Sequence, residues 1–243
     1  MFTIIVAENY DEASHEAMKL VRDVLRKERP VLGLTAGSTP IGLYREMIEE
    51  YQSGNLSYKN VRTWNLDEYI GLDSSHPQSC HTYMKEKLFD HVDIPQENIH
   101  MPNGNAEDPA AECERYEASL KDVTIDLQIL GLGTDGHIGF NEPGTSFETL
   151  THVAELTEQT RYDNAGYFGG NIDLVPKQAI SMGLATIMRA RSIVVIATGE
   201  SKANAVYNMI KGPMKSRCPA SILQSHPRLT VIADKAAAQR ILF

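Results

Sequence analysis

The chain has 243 residues, 42% of them hydrophobic and 23% charged, with a formal net charge of −9. That length buries one large core or two small ones, and the composition is that of an ordinary globular protein. The negative balance excludes a general nucleic-acid or anionic-membrane binder, because the summed field repels polyanions; an anionic small molecule would need a local cluster of donors.

The chain opens on MFTIIVAE, which has no basic n-region and only a short apolar run, so TIIVA (3–7) reads as a strand rather than a signal peptide. The next segment places Ala13, Ala17, Leu20, Val21, Val24 and Leu25 on one helical face. VLGLT (31–35) is a second strand, followed by AGSTP and a helix presenting Leu43, Met47 and Ile48. VRTWNL (61–66) and DLQILGL (126–132) are a third and a fourth. SIVVIAT (192–198) and LTVIAD (229–234) complete the series, each followed by a helical segment beginning SKANAV or KAAAQR. Near-continuous apolar strands separated by helices predict an α/β fold: a doubly wound, mostly parallel sheet with helices on both faces, a Rossmann-like three-layer sandwich. No linker, repeat or charge block divides the chain, so a single domain is expected over 1–243. No stretch approaches the roughly 18 apolar residues of a transmembrane helix. The scattered Cys80, Cys113 and Cys218, without C-x-x-C spacing, fit a reducing compartment, and a cytoplasmic location is expected.

In such sheets ligands bind outside the carboxyl ends of the strands, and four junctions there carry chemistry. GLGTDG (131–136) satisfies the G-x-G-x-x-G dinucleotide fingerprint. A pyrophosphate loop must open a helix, however, and the following HIGFNEPGTS has no helical period and contains Pro143. No nicotinamide site is expected. What remains is Asp135, His137 and Glu142 on a glycine-rich loop. A histidine flanked by carboxylates suits a general acid/base that moves a hydroxyl proton. The same residue types can ligate a metal, or satisfy a turn; spacing alone leaves all three open. In TAGSTP (35–40), Gly37 permits close backbone approach, Thr39 can cap the next helix and Pro40 suits its first turn, a start that can hold phosphate. NLDEY (65–69) puts Asp67 and Glu68 at a strand end, as a catalytic base or as the cap of the next segment. Lys202 in the first turn of a helix is disfavoured by the macrodipole, which a bound anion would reverse.

Taken together, LTAGSTPIGLY, NLDEYIGL, HPQSCHTYM, PNGNA, GLGTDGHIGFNEPG and VPKQAISMG resemble the glucosamine-6-phosphate deaminase (glucosamine-6-phosphate isomerase) family over nearly the whole chain. The resemblance implies that His137 is the acid/base for pyranose ring opening, tuned and oriented by Asp135 and Glu142. It implies that Asp67 is the base that carries the C2 proton to C1, and that Gly37, Ser38, Thr39 and Lys202 grip the phosphate. The implied reaction turns glucosamine 6-phosphate and water into fructose 6-phosphate and ammonia, with no metal and no organic cofactor, because the substrate's own amine serves as the electron-accepting imine. Two departures stand out. Relatives usually have Ala-Thr-Gly or Pro-Thr-Gly where this chain has Thr35-Ala36-Gly37, and commonly carry an arginine that contacts phosphate where it has Gly166; Arg161 or a backbone donor is the candidate substitute. The related 6-phosphogluconolactonases share a G-x-x-x-D-G-H loop but have Asp-Glu-Arg in place of Asp67-Glu68-Tyr69 and lack Phe140-Asn141-Glu142-Pro143. A sugar-phosphate-sensing domain, resembling repressor effector domains, would precede its first strand with a helix-turn-helix. The expected partner is therefore a small sugar phosphate, with no nucleic acid and no membrane. The short stretch after the last strand and helix resembles no effector-binding extension, so a monomer or small homo-oligomer is expected.

Overall fold

The computed structural model describes residues 2–242; Met1 and Phe243, the ends of the expected domain, lie outside it. In chain order the first elements are β1 (Thr3–Ala7), α1 (Tyr10–Leu25), β2 (Val31–Leu34), α2 (Ile41–Gln52), β3 (Arg62–Asn65), β4 (Asp67–Tyr69) and α3 (Cys80–Lys87). The middle of the chain supplies β5 (Ile99–His100), α4 (Pro109–Ser119), β6 (Leu127–Leu130), β7 (His152–Glu155) and α5 (Glu158–Asn164). The remainder supplies β8 (Gln178–Ser181), α6 (Leu184–Ile187), β9 (Ile193–Ala197), α7 (Ala203–Lys211), β10 (Leu229–Asp234) and α8 (Lys235–Ala238).

The six expected strands all form and join β5 in a sheet of order β1-β10-β9-β6-β2-β3-β5, every pair parallel. Side chains alternate across it. Val31, Val195 and Val231 pack against residues of α4, α6, α7 and α8, whereas Leu32, Val194 and Ile232 pack against α1, α2 and α3. Burial on both faces is why these strands are apolar at successive positions instead of every second one. The edge strand β1 is the exception, with Ile4 39% and Val6 38% exposed. In α1, Asn9 accepts a hydrogen bond from Glu12 N and caps the helix. Its expected Ala13, Ala17 and Val21 are buried together with Ser14 and Met18, while Leu20, Val24 and Leu25 are packed only at the margin.

The strand order reverses between β2 and β6. From β2 the chain winds outward through β3 to β5, and from β6 it winds the other way through β9 to β10. Loops leaving the two strands therefore diverge and leave a crevice at their carboxyl ends. A second, three-stranded antiparallel sheet of order β4-β8-β7 lies outside the sequence-based expectation. Its segments DEY, QAIS and HVAE are three or four residues long and carry no sustained alternation, so periodicity cannot find them. It buries Tyr69, Ala154 and Ala179 with Phe140, Phe168 and Val175 in a separate small core.

The two-sided core predicts a sharp contrast between strands. Ile129, fully buried in β6, should cost ~2–5 kcal/mol when cut to alanine, the range for large-to-small substitutions in a packed core. Ile4→Ala on the half-open edge should cost about 1 kcal/mol or less. Urea unfolding midpoints of the two variants check this; equal losses would show that β1 is as much part of the core as β6.

Candidate active site

The crevice at the β2/β6 reversal holds a cleft of about 300 Å³. Gly37, Ser38 and Thr39 after β2, Asp67 at the start of β4, His137 after β6 and Lys202 before α7 all line it. Six of the eight residues singled out from the sequence thus converge on one space. Asp135 and Glu142 stand behind His137 and do not line the cleft.

The loop after β6 is shaped around its histidine. His137 Nδ1 lies 2.8 Å from Asp135 Oδ1, and the same oxygen accepts the His137 backbone N–H at 3.0 Å. Burial alone would raise the Asp135 pKa, but the hydrogen bonds and charge of His137 outweigh it and hold the carboxyl below its ordinary value. Gly133 makes room for the ring: a Cβ there would fall 2.3 Å from it. Of the glycines in the apparent dinucleotide fingerprint, Gly133 serves the imidazole, whereas Gly131 lies against Thr39 and Gly136 against Cys218, and no helix follows until α5 at Glu158. Behind the ring, Asn141 Nδ2 donates to Ile138 O and Met182 O, and the Phe140 N–H donates to Ser181 Oγ, so β8 pins the loop. Glu142 makes no direct hydrogen bond to the ring. It accepts from Thr157 N at 3.2 Å and Thr157 Oγ1 at 3.3 Å, and so ties the loop to the N-cap of α5. Asp135, His137 and Glu142 nevertheless offer ligand atoms all within 4.8 Å of one another, so the geometry also admits a metal.

Asp67 faces the loop from β4. Its partner across the antiparallel pairing is Ser181, and it is 6% exposed. Burial first, and the Glu68 charge second, lift its pKa to about 7, against the opposing pull of His137 and of the Cys80 thiol, whose Sγ lies 3.9 Å from Oδ1. The two aspartates of the site thus diverge. Asp135 stays a carboxylate throughout the neutral range, and Asp67 exchanges its proton within it.

The other end of the cleft differs in detail from the expectation. Thr39 does not cap α2, whose N-cap position is Pro40 with no side-chain cap bond. The Tyr10 hydroxyl accepts the Gly42 N–H at 2.7 Å in its stead and lies 3.1 and 3.2 Å from the carbonyls of Ser38 and Thr39. Tyr83 of α3 donates to Gly37 O. Lys202 sits in a short 3-10 turn (Glu200–Lys202) at the position before α7. Burial lowers its pKa, and Asp163 and Asp135 only partly offset this. Arg161 is not at the cleft, because its guanidinium donates to Val175 O and Ile172 O. Gly166 is not among the lining residues either, although Asp163, Asn164 and Tyr167 beside it are. Sequence reasoning had not singled out Tyr10, Tyr83, Cys80 or Asp163. Each owes its place to a helix or loop brought in from a distant segment, and only the HPQSCHTYM motif pointed toward two of them.

Residues 7–232 match the family of glucosamine-6-phosphate isomerases and 6-phosphogluconolactonases. The glucosamine-6-phosphate deaminase of Thermoanaerobacter pseudethanolicus is 48% identical over 98% of this chain and 94% of its own. A solved monomeric glucosamine-6-phosphate deaminase superposes with a TM-score of 0.96 at 45% identity, covering 98% of this chain and 99% of that one. The 6-phosphogluconolactonase of Trypanosoma cruzi shares the fold, with a TM-score of 0.81 at 21% identity over 100% of this chain and 98% of that one. With a family match across nearly its whole length and close relatives aligned end to end, this chain belongs to the glucosamine-6-phosphate isomerase/6-phosphogluconolactonase family.

Proposed function

We propose that the chain is a glucosamine-6-phosphate deaminase, converting glucosamine 6-phosphate and water to fructose 6-phosphate and ammonia in amino-sugar breakdown. The observation that carries this reading is the pairing, in one cleft, of an oriented histidine with a buried carboxylate whose pKa is lifted to about 7. A base that must take a proton from carbon near neutral pH is most effective with a pKa near the working pH. Hydrolysis of a lactone has no need of such a group. The close deaminase relatives support the same choice.

The proposed division of labour follows the geometry. His137, oriented by Asp135, moves the proton from the anomeric hydroxyl to the ring oxygen and opens the pyranose. Asp67 then takes the C2 proton and returns it at C1. The electron pair passes through the enolamine, and the resulting C2 imine is hydrolysed by water, leaving a ketone and releasing ammonia. Glu142 acts through Thr157, fixing the His137 loop against α5. The backbone of residues 37–39, their hydroxyls and Lys202 hold the phosphate, which supplies the anion that a half-buried lysine at a helix start calls for. The substrate's amine supplies the electron sink, so no metal or organic cofactor enters the scheme. Among the described residues no helix is long and apolar enough to cross a membrane. A cytoplasmic monomer or small homo-oligomer agrees with the monomeric relative and with three free, buried cysteines.

The deciding experiment is ammonia release from glucosamine 6-phosphate, with stoichiometric ketose phosphate, unchanged after treatment with a chelator. No release refutes the reading; loss on chelation that one metal restores would make Asp135, His137 and Glu142 ligands. In heavy water, Asp67→Asn should lose about 10²–10⁴-fold in turnover and show no deuterium entering C1 or C2, whereas His137→Asn should still exchange at its reduced rate.

The acidity of Asp67 sets a pH dependence. A base works only when ionised, so kcat/KM should be level above its pKa and fall about tenfold per unit below an inflection near 7. A profile flat down to pH 5 would move the base role to another group.

A third expectation concerns the missing arginine. No atom lies within 4 Å of a Cβ built on Gly166, and its φ is not positive, so a side chain is accepted there. Gly166→Arg should lower KM with little change in kcat, because a phosphate contact binds ground and transition states alike. An unchanged or higher KM would mean that the existing donors already saturate the phosphate.

A further inference from the structure

We infer that Glu68 is a positioning residue, whose buried carboxylate locks the strand bearing Asp67 to the first turn of α3 and, through Tyr83 on that helix, to the phosphate-side loop. This rests on the deaminase reading and extends it to a residue outside the cleft. Glu68 is 1% exposed and does not line the cleft, so it has no access to a substrate proton. All its lone-pair directions are spent on the chain itself. Oε1 accepts from Tyr69 N at 2.8 Å and Cys80 N at 2.9 Å; Oε2 accepts from His81 N at 3.0 Å and lies 2.7 Å from His81 Nδ1.

Ser79 already caps α3 through Thr82 N, so the cap position itself is filled. The carboxylate satisfies further first-turn donors from another strand, at the end of the helix where negative charge is favoured. The PNGNA segment closes over it from the opposite side: Gly71 N donates to Gly104 O, and a Cβ on Gly104 would lie 2.8 Å from Glu68 Cγ. Held this way, α3 places Cys80 Sγ 3.9 Å from Asp67 Oδ1 and brings Tyr83 to Gly37 O. The base and the phosphate loop are therefore braced from one helix, and Glu68 is the joint between that helix and the base.

The joint is also charged. Asp67, Tyr69, Cys80 and His81 surround the Glu68 carboxylate, with Asp73 and His76 beyond His81. Its pairing partner on β8, Ile180, is apolar, and Glu112 on the PNGNA side is engaged by Arg115 and Asn103 N. Asp67 itself meets Glu68, His137 and Cys80, with Tyr44, Tyr69 and Tyr116 nearby. A fixed negative charge one residue from the base opposes its ionisation and strengthens it as a proton acceptor.

Glu68→Gln, Glu68→Asp and Tyr83→Phe, compared with wild type in the ammonia-release assay across pH, separate the two roles. Glu68→Gln removes the charge and crowds the donors with an amide, so the acid limb of kcat/KM should move down by about half a unit or more and KM should rise. Glu68→Asp keeps the charge on a shorter arm, so KM should rise while the limb stays. Tyr83→Phe should raise KM about two- to tenfold, the range for one lost hydrogen bond, without moving the limb. A purely structural Glu68 would leave the limb in place in every variant. A limb unmoved in Glu68→Gln, or a KM unchanged in both Glu68→Asp and Tyr83→Phe, overturns the inference. If Glu68→Gln does not fold, the other two variants still decide it through KM. A wild type that releases no ammonia refutes the deaminase reading, and this inference falls with it.

Discussion

The structure depends on a single topological constraint, the reversal of winding between β2 and β6. A parallel sheet covered on both faces hides its strands from solvent, so ligand chemistry is confined to the loops at the strand ends. Where neighbouring strands send their chains to opposite sides, those loops separate, and this fold uses the gap for a cleft. One wall comes from the glycine-containing turn after β2 and the other from the His137 loop after β6. Both loops are tied to neighbouring elements: Tyr10 and Tyr83 bond the first, and Ser181 of β8 with Thr157 bonds the second.

Two carboxylates of the same residue type, Asp67 in the cleft and Asp135 behind His137, differ in acidity because their surroundings differ. Asp135 accepts hydrogen bonds from His137 and stays ionised. Asp67 is buried, sits next to Glu68, and among the described residues has only the weak Cys80 thiol as a side-chain donor. The cost of burying a charge with so few partners is carried by the fold, and its result is a carboxyl whose pKa is lifted to about 7. The small antiparallel sheet joins the two sides of the cleft, since Ser181 of β8 pairs with Asp67 on β4 and accepts the Phe140 N–H of the His137 loop.

The shared fold of deaminases and lactonases shows how little the scaffold alone specifies. Ring opening and enolisation need two proton-handling groups at two places on the sugar. In the proposed scheme they come from two places in this fold, the loop after β6 and β4. A hydrolytic site on the same frame could dispense with the second.

The large sheet was legible in the sequence because its physical cause is local: strands buried on both faces are written as apolar runs, such as SIVVIAT and LTVIAD, and amphipathic helices as a 3.6-residue period. The proposed acid/base residues were legible because Asp67, Asp135 and His137 sit in short motifs whose order is itself informative. The lack of a helical period after GLGTDG was equally legible, and the structure forms no helix there before α5. Tertiary structure alone decided the rest. It made Tyr10 rather than Thr39 the partner of the α2 start, and engaged Glu142 with Thr157 rather than with the His137 ring. It turned Arg161 toward the carbonyls of Val175 and Ile172, and gave the buried Glu68 to α3. These are contacts between segments with no periodic relation along the chain. Spacing can say which residue types are available at a strand end; which donor reaches which acceptor is set by how helices and loops dock, and that is a property of the packed core rather than of any one stretch of sequence.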